Sequence, residues 1–107
     1  MSDAAVLARV EQAIRARRGA DPASSYVASL QAGGVRKIAK KLGEEAVETI
    51  IAALGESEEA FTGEAADLVF HLLVLLEARG LSLADVAAEL ARREGLSGIE
   101  EKAKRSR

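Results

Sequence analysis

Five acidic side chains stand at spacings that could do chemistry: Glu44, Glu45 and Glu48 in one stretch, Glu64 and Asp67 in another. At about 100° per residue, Glu45 and Glu48 lie about 60° apart on one side of a helix, and Glu64 and Asp67 repeat the arrangement on the next helix. Antiparallel packing would turn the two pairs toward each other. Four carboxylates converging in a partly desolvated crevice repel, and the ordinary remedies are raised pKa values or a bound cation. An all-oxygen ligand set favours a hard ion, Mg²⁺ or Mn²⁺, over zinc. Mg²⁺ commonly fills its remaining positions with water and substrate phosphates, so a phosphate ester or anhydride substrate follows. The plainer reading is a solvated face, in which Lys41 pairs with Glu45 and Lys40 with Glu44. Position tips the balance, because Glu64 and Asp67 flank Leu68 in the angular sector that also holds Phe61, His71, Leu72 and Leu75.

The neighbouring residues narrow the chemistry. His71 lies one turn beyond Asp67 and reads as a core histidine hydrogen-bonded to a carboxylate, with metal contact as the alternative. A di-iron carboxylate site of the ferritin kind needs a Glu-x-x-His motif on each of two helices, and the chain has one histidine. Arg36, Lys37, Lys40 and Lys41 precede the glutamates; beside a metal site they are candidates to neutralise substrate phosphates. With no cysteine, thiolate zinc sites, disulfides and cysteine nucleophiles are excluded. Fifteen Lys+Arg against seventeen Asp+Glu leave a net charge of -2, which supplies no positive field for a nucleic acid backbone. Leu72 to Leu76 is far short of the roughly 20 apolar residues of a membrane span, and the amino terminus shows no signal-peptide core. The expectation is a soluble, cytoplasmic protein with neither nucleic acid nor membrane as partner.

The elements that must carry these residues read as helices. At 107 residues and 49% hydrophobic, the chain is long enough for one self-supporting domain. Ala, Leu, Glu and Arg fill the spaces between the glycines and the single proline, Pro22, so the fold class is all-α, a bundle of about five helices. The first helix is expected from about Ser2 to Arg18, ended by Gly19. Ser24 or Ser25 caps a short second helix through Tyr26, Val27 and Leu30 that stops at Gly33-Gly34. A third covers about Val35 to Leu54, with Val35, Ile38, Leu42, Ala46, Ile50 and Leu54 as its inward stripe; Gly43 inside it suggests close approach to the backbone. Ser57 caps a fourth helix to about Arg79, and Ser82 with Asp85 forms a capping box for a fifth, to about Arg93. The domain takes in residues 1–107, with a basic tail expected to fray from about residue 100. From Leu68 to Leu76 the fourth helix is apolar on every side except at His71. So few helices cannot cover it, which implies a homodimer or a higher even-numbered assembly.

The run Lys37-Ile38-Ala39-Lys40-Lys41-Leu42-Gly43-Glu44-Glu45-Ala46-Val47-Glu48, followed by Glu64-Ala65-Ala66-Asp67-Leu68, resembles the phosphoribosyl-ATP pyrophosphohydrolase family in its stand-alone form. The Glu-Glu-x-x-Glu and Glu-x-x-Asp pattern is shared more broadly with the all-α, MazG-like nucleoside triphosphate pyrophosphohydrolases. Narrower matches are Ser25 to Leu30, Lys40-Lys41-x-Gly43, His71 to Leu76, and Ser97 to Lys102. The resemblance implies a MazG-like architecture completed by dimerisation. It also implies Mg²⁺-dependent hydrolysis of the α–β phosphoanhydride of phosphoribosyl-ATP, the second step of histidine biosynthesis. On that footing Glu45, Glu48, Glu64 and Asp67 hold the metal, and Glu44 orients or deprotonates the attacking water. Lys37, Lys40 and Lys41 contact phosphates, while Tyr26 and Ser29 contact the rest of the substrate. The readings set against it are a general nucleotide house-cleaning pyrophosphatase of the same superfamily and a non-catalytic helical interaction module.

Overall fold

The computed structural model describes residues 5–95 and residue 102. The described residues form four helices: α1 (Ala5–Ala16), α2 (Tyr26–Gly55), α3 (Glu58–Ala78) and α4 (Leu83–Arg93). Serines open three of them. The side chain of Ser25 accepts from the Ala28 N–H at 3.2 Å and that of Ser57 from the Ala60 N–H at 3.1 Å. At α4 the Asp85 carboxylate accepts from the Ser82 backbone N–H at 2.9 Å. Each bond satisfies a donor that the helix start leaves orphaned.

The second and third helices expected from sequence are one element with a break in it. Gly34 sits inside α2 at φ 83°, ψ 175°, a conformation open to glycine and strained for other residues. The arm ahead of Gly34, from Tyr26 to Gly33, and the long arm behind it therefore point differently. α2 then runs on to Gly55, and Glu56 and Ser57 return the chain into α3, so α2 and α3 pack antiparallel.

The core lies where the Gly34 break, the end of α1 and the second half of α3 meet. Ile14, Leu30, Ile38, Leu73 and Val74 are buried there, with Val10, Val27, Phe70 and Leu76 packed around them. The inward stripe of α2 differs from the expected one. Ile38, Glu45 and Ala52 are buried, whereas Val35, Ile50 and Leu54 are exposed, Leu54 at 84%. Steps of four residues advance about 40° each around a helix, so a stripe from Leu42 through Ala46 and Ile50 has turned about 120° by Leu54. Heptad steps hold their direction better, and Ile38, Glu45 and Ala52 are seven apart. Helix α3 is also better covered than its sequence implied. Between Leu68 and Leu76 only Val69 is exposed, because α1 covers one side and α2 another. α4 buries no residue fully and is held at its start, where the Leu83 N–H donates to Glu11 Oε2 of α1 at 2.7 Å. The expected tail and the Ser97 to Lys102 motif lie outside the described residues apart from Lys102, which is helical and exposed.

Candidate functional site

The long arm of α2 and the first half of α3 bring three carboxylates together. Glu45, Glu48 and Glu64 each offer an oxygen within 4.8 Å of the others. Glu45 is 6% exposed, on the same side of α2 as Ile38 and Ala52. Glu48 stands one turn on at the open edge, and Glu64 faces both from α3. Thr49 clamps the two helices behind the cluster: its hydroxyl lies 2.7 Å from the Glu45 carbonyl and 3.1 Å from the Glu64 carbonyl. Sequence reasoning missed Thr49. Its signal was there, since it lies one turn after Glu45 and one before Ala52 on the buried side.

The electrostatics of the cluster are those of uncompensated negative charge. The Glu64 carboxyl is pushed above the ordinary carboxylate range, first by desolvation, then by the charge and hydrogen bond of Glu48, then by Asp67 and Glu45. Asp67, exposed on α3, is outside the 4.8 Å group but close enough for Glu64 to feel it. Lys41 is the local cation, with Nζ 3.6 Å from Glu45 Oε1 and 3.8 Å from Glu44 Oε1. Its pKa is raised, by an ionised Tyr26 foremost and then, against some desolvation, by Glu45 and Glu44. Glu45 Oε2 and Glu64 Oε2 nevertheless remain buried without a hydrogen-bond partner. Orphaned carboxylate oxygens on two facing helices, in an all-oxygen donor set, fit a hard divalent cation.

The other residues singled out from sequence fall around this cluster. Glu44 is half exposed and pairs with Lys41, so Lys41 takes the place expected for Lys40. Lys37 and Lys40 are exposed on the outer side of α2. Ser29 spends its hydroxyl on the Tyr26 carbonyl at 2.7 Å. Tyr26 is 52% exposed; burial raises its pKa against the opposing pull of Lys41, with Glu45, Asp67 and Glu44 adding to the rise. His71 is buried and bonds the Asp67 backbone carbonyl at 2.7 Å, not a carboxylate. Among the described residues, nothing beyond the helix's own backbone comes within 4 Å of a Cβ built on Gly43.

The comparisons with known proteins agree with one another. Residues 7–94 match the sequence profile of the family described as phosphoribosyl-ATP pyrophosphohydrolase. The chain is 67% identical over 99 residues to a phosphoribosyl-ATP pyrophosphatase of Erythrobacter litoralis, covering 92% of this chain and 95% of that one. It is 58% identical over 106 residues to one of Novosphingobium aromaticivorans, covering 99% of each. With one of Rhizorhabdus wittichii it shares 62% identity over 99 residues, 92% of this chain and 93% of that one.

Proposed function

Because the chain belongs to the phosphoribosyl-ATP pyrophosphohydrolase family, we propose that the cluster of Glu45, Glu48 and Glu64 is where it hydrolyses phosphoribosyl-ATP. The products are phosphoribosyl-AMP and pyrophosphate, and the reaction is a step of histidine biosynthesis, carried out by a cytoplasmic enzyme whose single domain takes in residues 1–107. The observation that carries the placement is the pair of buried, unpartnered oxygens on Glu45 and Glu64 within a group of carboxylates whose oxygens lie within 4.8 Å of one another.

Glu45, Glu48 and Glu64, with Asp67 beside them, would hold Mg²⁺, or Mn²⁺ in its place, which when bound supplies positive charge to the phosphoryl oxygens and the leaving pyrophosphate. Lys41 contributes from the other side. Its ammonium lies between Glu44 and Glu45 at the cluster's margin, where a polyphosphate meets it as a second cation. Lys37 and Lys40, exposed one turn and less before it, widen the basic border and steer an anionic substrate more than they grip it. Glu44, about 100° around α2 from Glu45, shares Lys41 with it at the margin of the cluster. It orients the attacking water and accepts its proton as the oxygen adds to phosphorus and the α–β bridging oxygen leaves with pyrophosphate. Tyr26 borders the site for the nucleoside half of the substrate. Ser29 supports that arm through the Tyr26 carbonyl.

The active species is a homodimer or a higher even-numbered assembly. Ile50, Ile51 and Leu54 form an apolar ridge on α2, with Ile51 57% exposed. An apolar groove of about 410 Å³ lies between α1 and α3, lined by Leu7, Val10, Ala65, Ala66 and Val69 among others. A second copy has both a ridge to bury and a groove to fill. The function is tested by pyrophosphate release from phosphoribosyl-ATP beside ATP, each with and without Mg²⁺. Strong preference for phosphoribosyl-ATP and dependence on the metal are expected. Equal turnover of the two would favour a house-cleaning nucleotide pyrophosphatase instead.

A further inference from the structure

The mechanism above makes no use of His71, yet this histidine has an unusual set of partners. It is 4% exposed, and both ring nitrogens are engaged. Nδ1 lies 2.7 Å from the Asp67 carbonyl oxygen; a carbonyl can only accept, so Nδ1 carries the hydrogen and Nε2 of the neutral ring is the acceptor. The Tyr26 hydroxyl, 2.8 Å from Nε2, is therefore the donor. Phe70 completes a cluster of rings. Its centroid is 6.4 Å from that of Tyr26 at 21° between planes, and 5.2 Å from that of His71 at 88°.

These contacts fasten two elements that the backbone alone does not fix. Tyr26 opens the arm of α2 ahead of Gly34, where φ 83° and ψ 175° interrupt the helix. The direction of that arm is set by tertiary contacts: Val27, Ala28 and Leu30 packed inward, Gln31 on the Ile14 carbonyl at 3.3 Å, the Tyr26–Phe70 ring contact, and the Tyr26–His71 bond. Only the last of these ends at the acidic site. A leucine in place of His71 would fill a core position without polar atoms to satisfy, so the histidine is there for what its two nitrogens hold.

We propose that His71 is a positioning residue of the active site: gripping the Asp67 carbonyl with one nitrogen and the Tyr26 hydroxyl with the other, it holds the first turn of α2 as a preformed wall beside the Glu45, Glu48 and Glu64 cluster. The inference rests on the placement of the active site given above. Without the link the Tyr26 side chain loses its tether to α3 while Leu30 and Gln31 still hold the arm, and the substrate must order that side chain on binding, which lowers apparent affinity before it slows chemistry.

The test uses four variants of the full chain. H71N keeps a donor for the Asp67 carbonyl and cannot reach Tyr26; H71Q can place an amide oxygen where Nε2 accepts. Y26F removes the hydroxyl and keeps the ring, and H71N/Y26F combines the two losses. H71N and Y26F should each raise KM for phosphoribosyl-ATP about fivefold, the worth of one ordinary hydrogen bond, with kcat within about twofold. The double variant should match the singles, because both break one bond, and H71Q should restore the parent KM. Tyr26 is the only tyrosine, so its ring protons give one assignable set of NMR signals in the free protein; their cross-relaxation with the Phe70 ring, 6.4 Å away between centroids, should weaken in H71N and persist in H71Q. Unchanged Tyr26–Phe70 cross-relaxation in H71N, an unchanged KM in Y26F, or KM increases that multiply in the double variant would each overturn the proposal. The ring signals are read without substrate, so the link is judged separately from the identity of the substrate.

Discussion

Glu45 is a residue that costs the fold: it is a carboxylate at a buried position with one oxygen unpartnered. Ile38 and Ala52 fill that side of α2 with hydrocarbon, and the other oxygen of Glu45 rests on Lys41. Like charges from Glu48 and Glu64 add to the strain, and Glu48 is the largest charged contributor to the raised pKa of Glu64. Neutralising Glu48 should therefore relieve repulsion. In the metal-free protein, E48Q should melt at an equal or higher temperature than the parent, and D67N should change it less, since Asp67 stands outside the close group. Mg²⁺ should raise the melting temperature of the parent by binding its folded state and should do so less in E48Q. At this scale much was legible. Spacing of i, i+3 on two successive helices, once these pack antiparallel, brings Glu45, Glu48 and Glu64 together, while Asp67 of the same pattern stays outside the close group. The Tyr26–His71 bond was not legible, because it spans 45 residues and depends on how far the arm ahead of Gly34 folds back.

At the scale of elements, the α2–α3 pair is the scaffold of the site and α4 an outlying strut. Ile38 and Val74 are both 0% exposed where the long arm of α2 meets α3. Ile38→Ala should cost about 2–5 kcal/mol, the range for deleting a buried aliphatic side chain, and chemical denaturation would measure it. α4 behaves differently, because its stability is local and electrostatic. Arg92 and Arg93 hydrogen-bond Glu89 and hold its carboxyl down at about 2 from the ordinary 4.5. A depressed carboxyl stabilises the folded state above its unfolded pKa and loses that contribution as pH falls through the folded one. Amide exchange in α4 should accordingly speed up between about pH 4.5 and pH 2, relative to α3, and E89Q should remove that acid sensitivity. The helices themselves were readable from serine caps and glycine stops, whose bonds involve neighbours in sequence. The inward side of α2 was not, because a 30-residue helix leaves room for a four-residue repeat to wind around it.

At the scale of the whole molecule, the described residues leave large apolar side chains open on α2, Val47 at 54%, Ile50 at 59%, Ile51 at 57% and Leu54 at 84% exposed. The sequence pointed to self-association through the apolar run of α3, but the structure covers most of that run and leaves the Ile50, Ile51 and Leu54 ridge exposed instead. Association through this ridge predicts that I51E sediments as a monomer at micromolar concentration while the parent sediments as a dimer or a larger even-numbered species; a monomeric parent would remove the ridge from the account. The most direct test of the site is pyrophosphate release from phosphoribosyl-ATP by the parent and by E48Q, with and without Mg²⁺, on preparations whose melting temperatures are measured alongside. Turnover that needs Mg²⁺ in the parent and falls more than about 100-fold in a folded E48Q is the expected result; full activity in E48Q would contradict the assignment of the acidic cluster as the catalytic metal site.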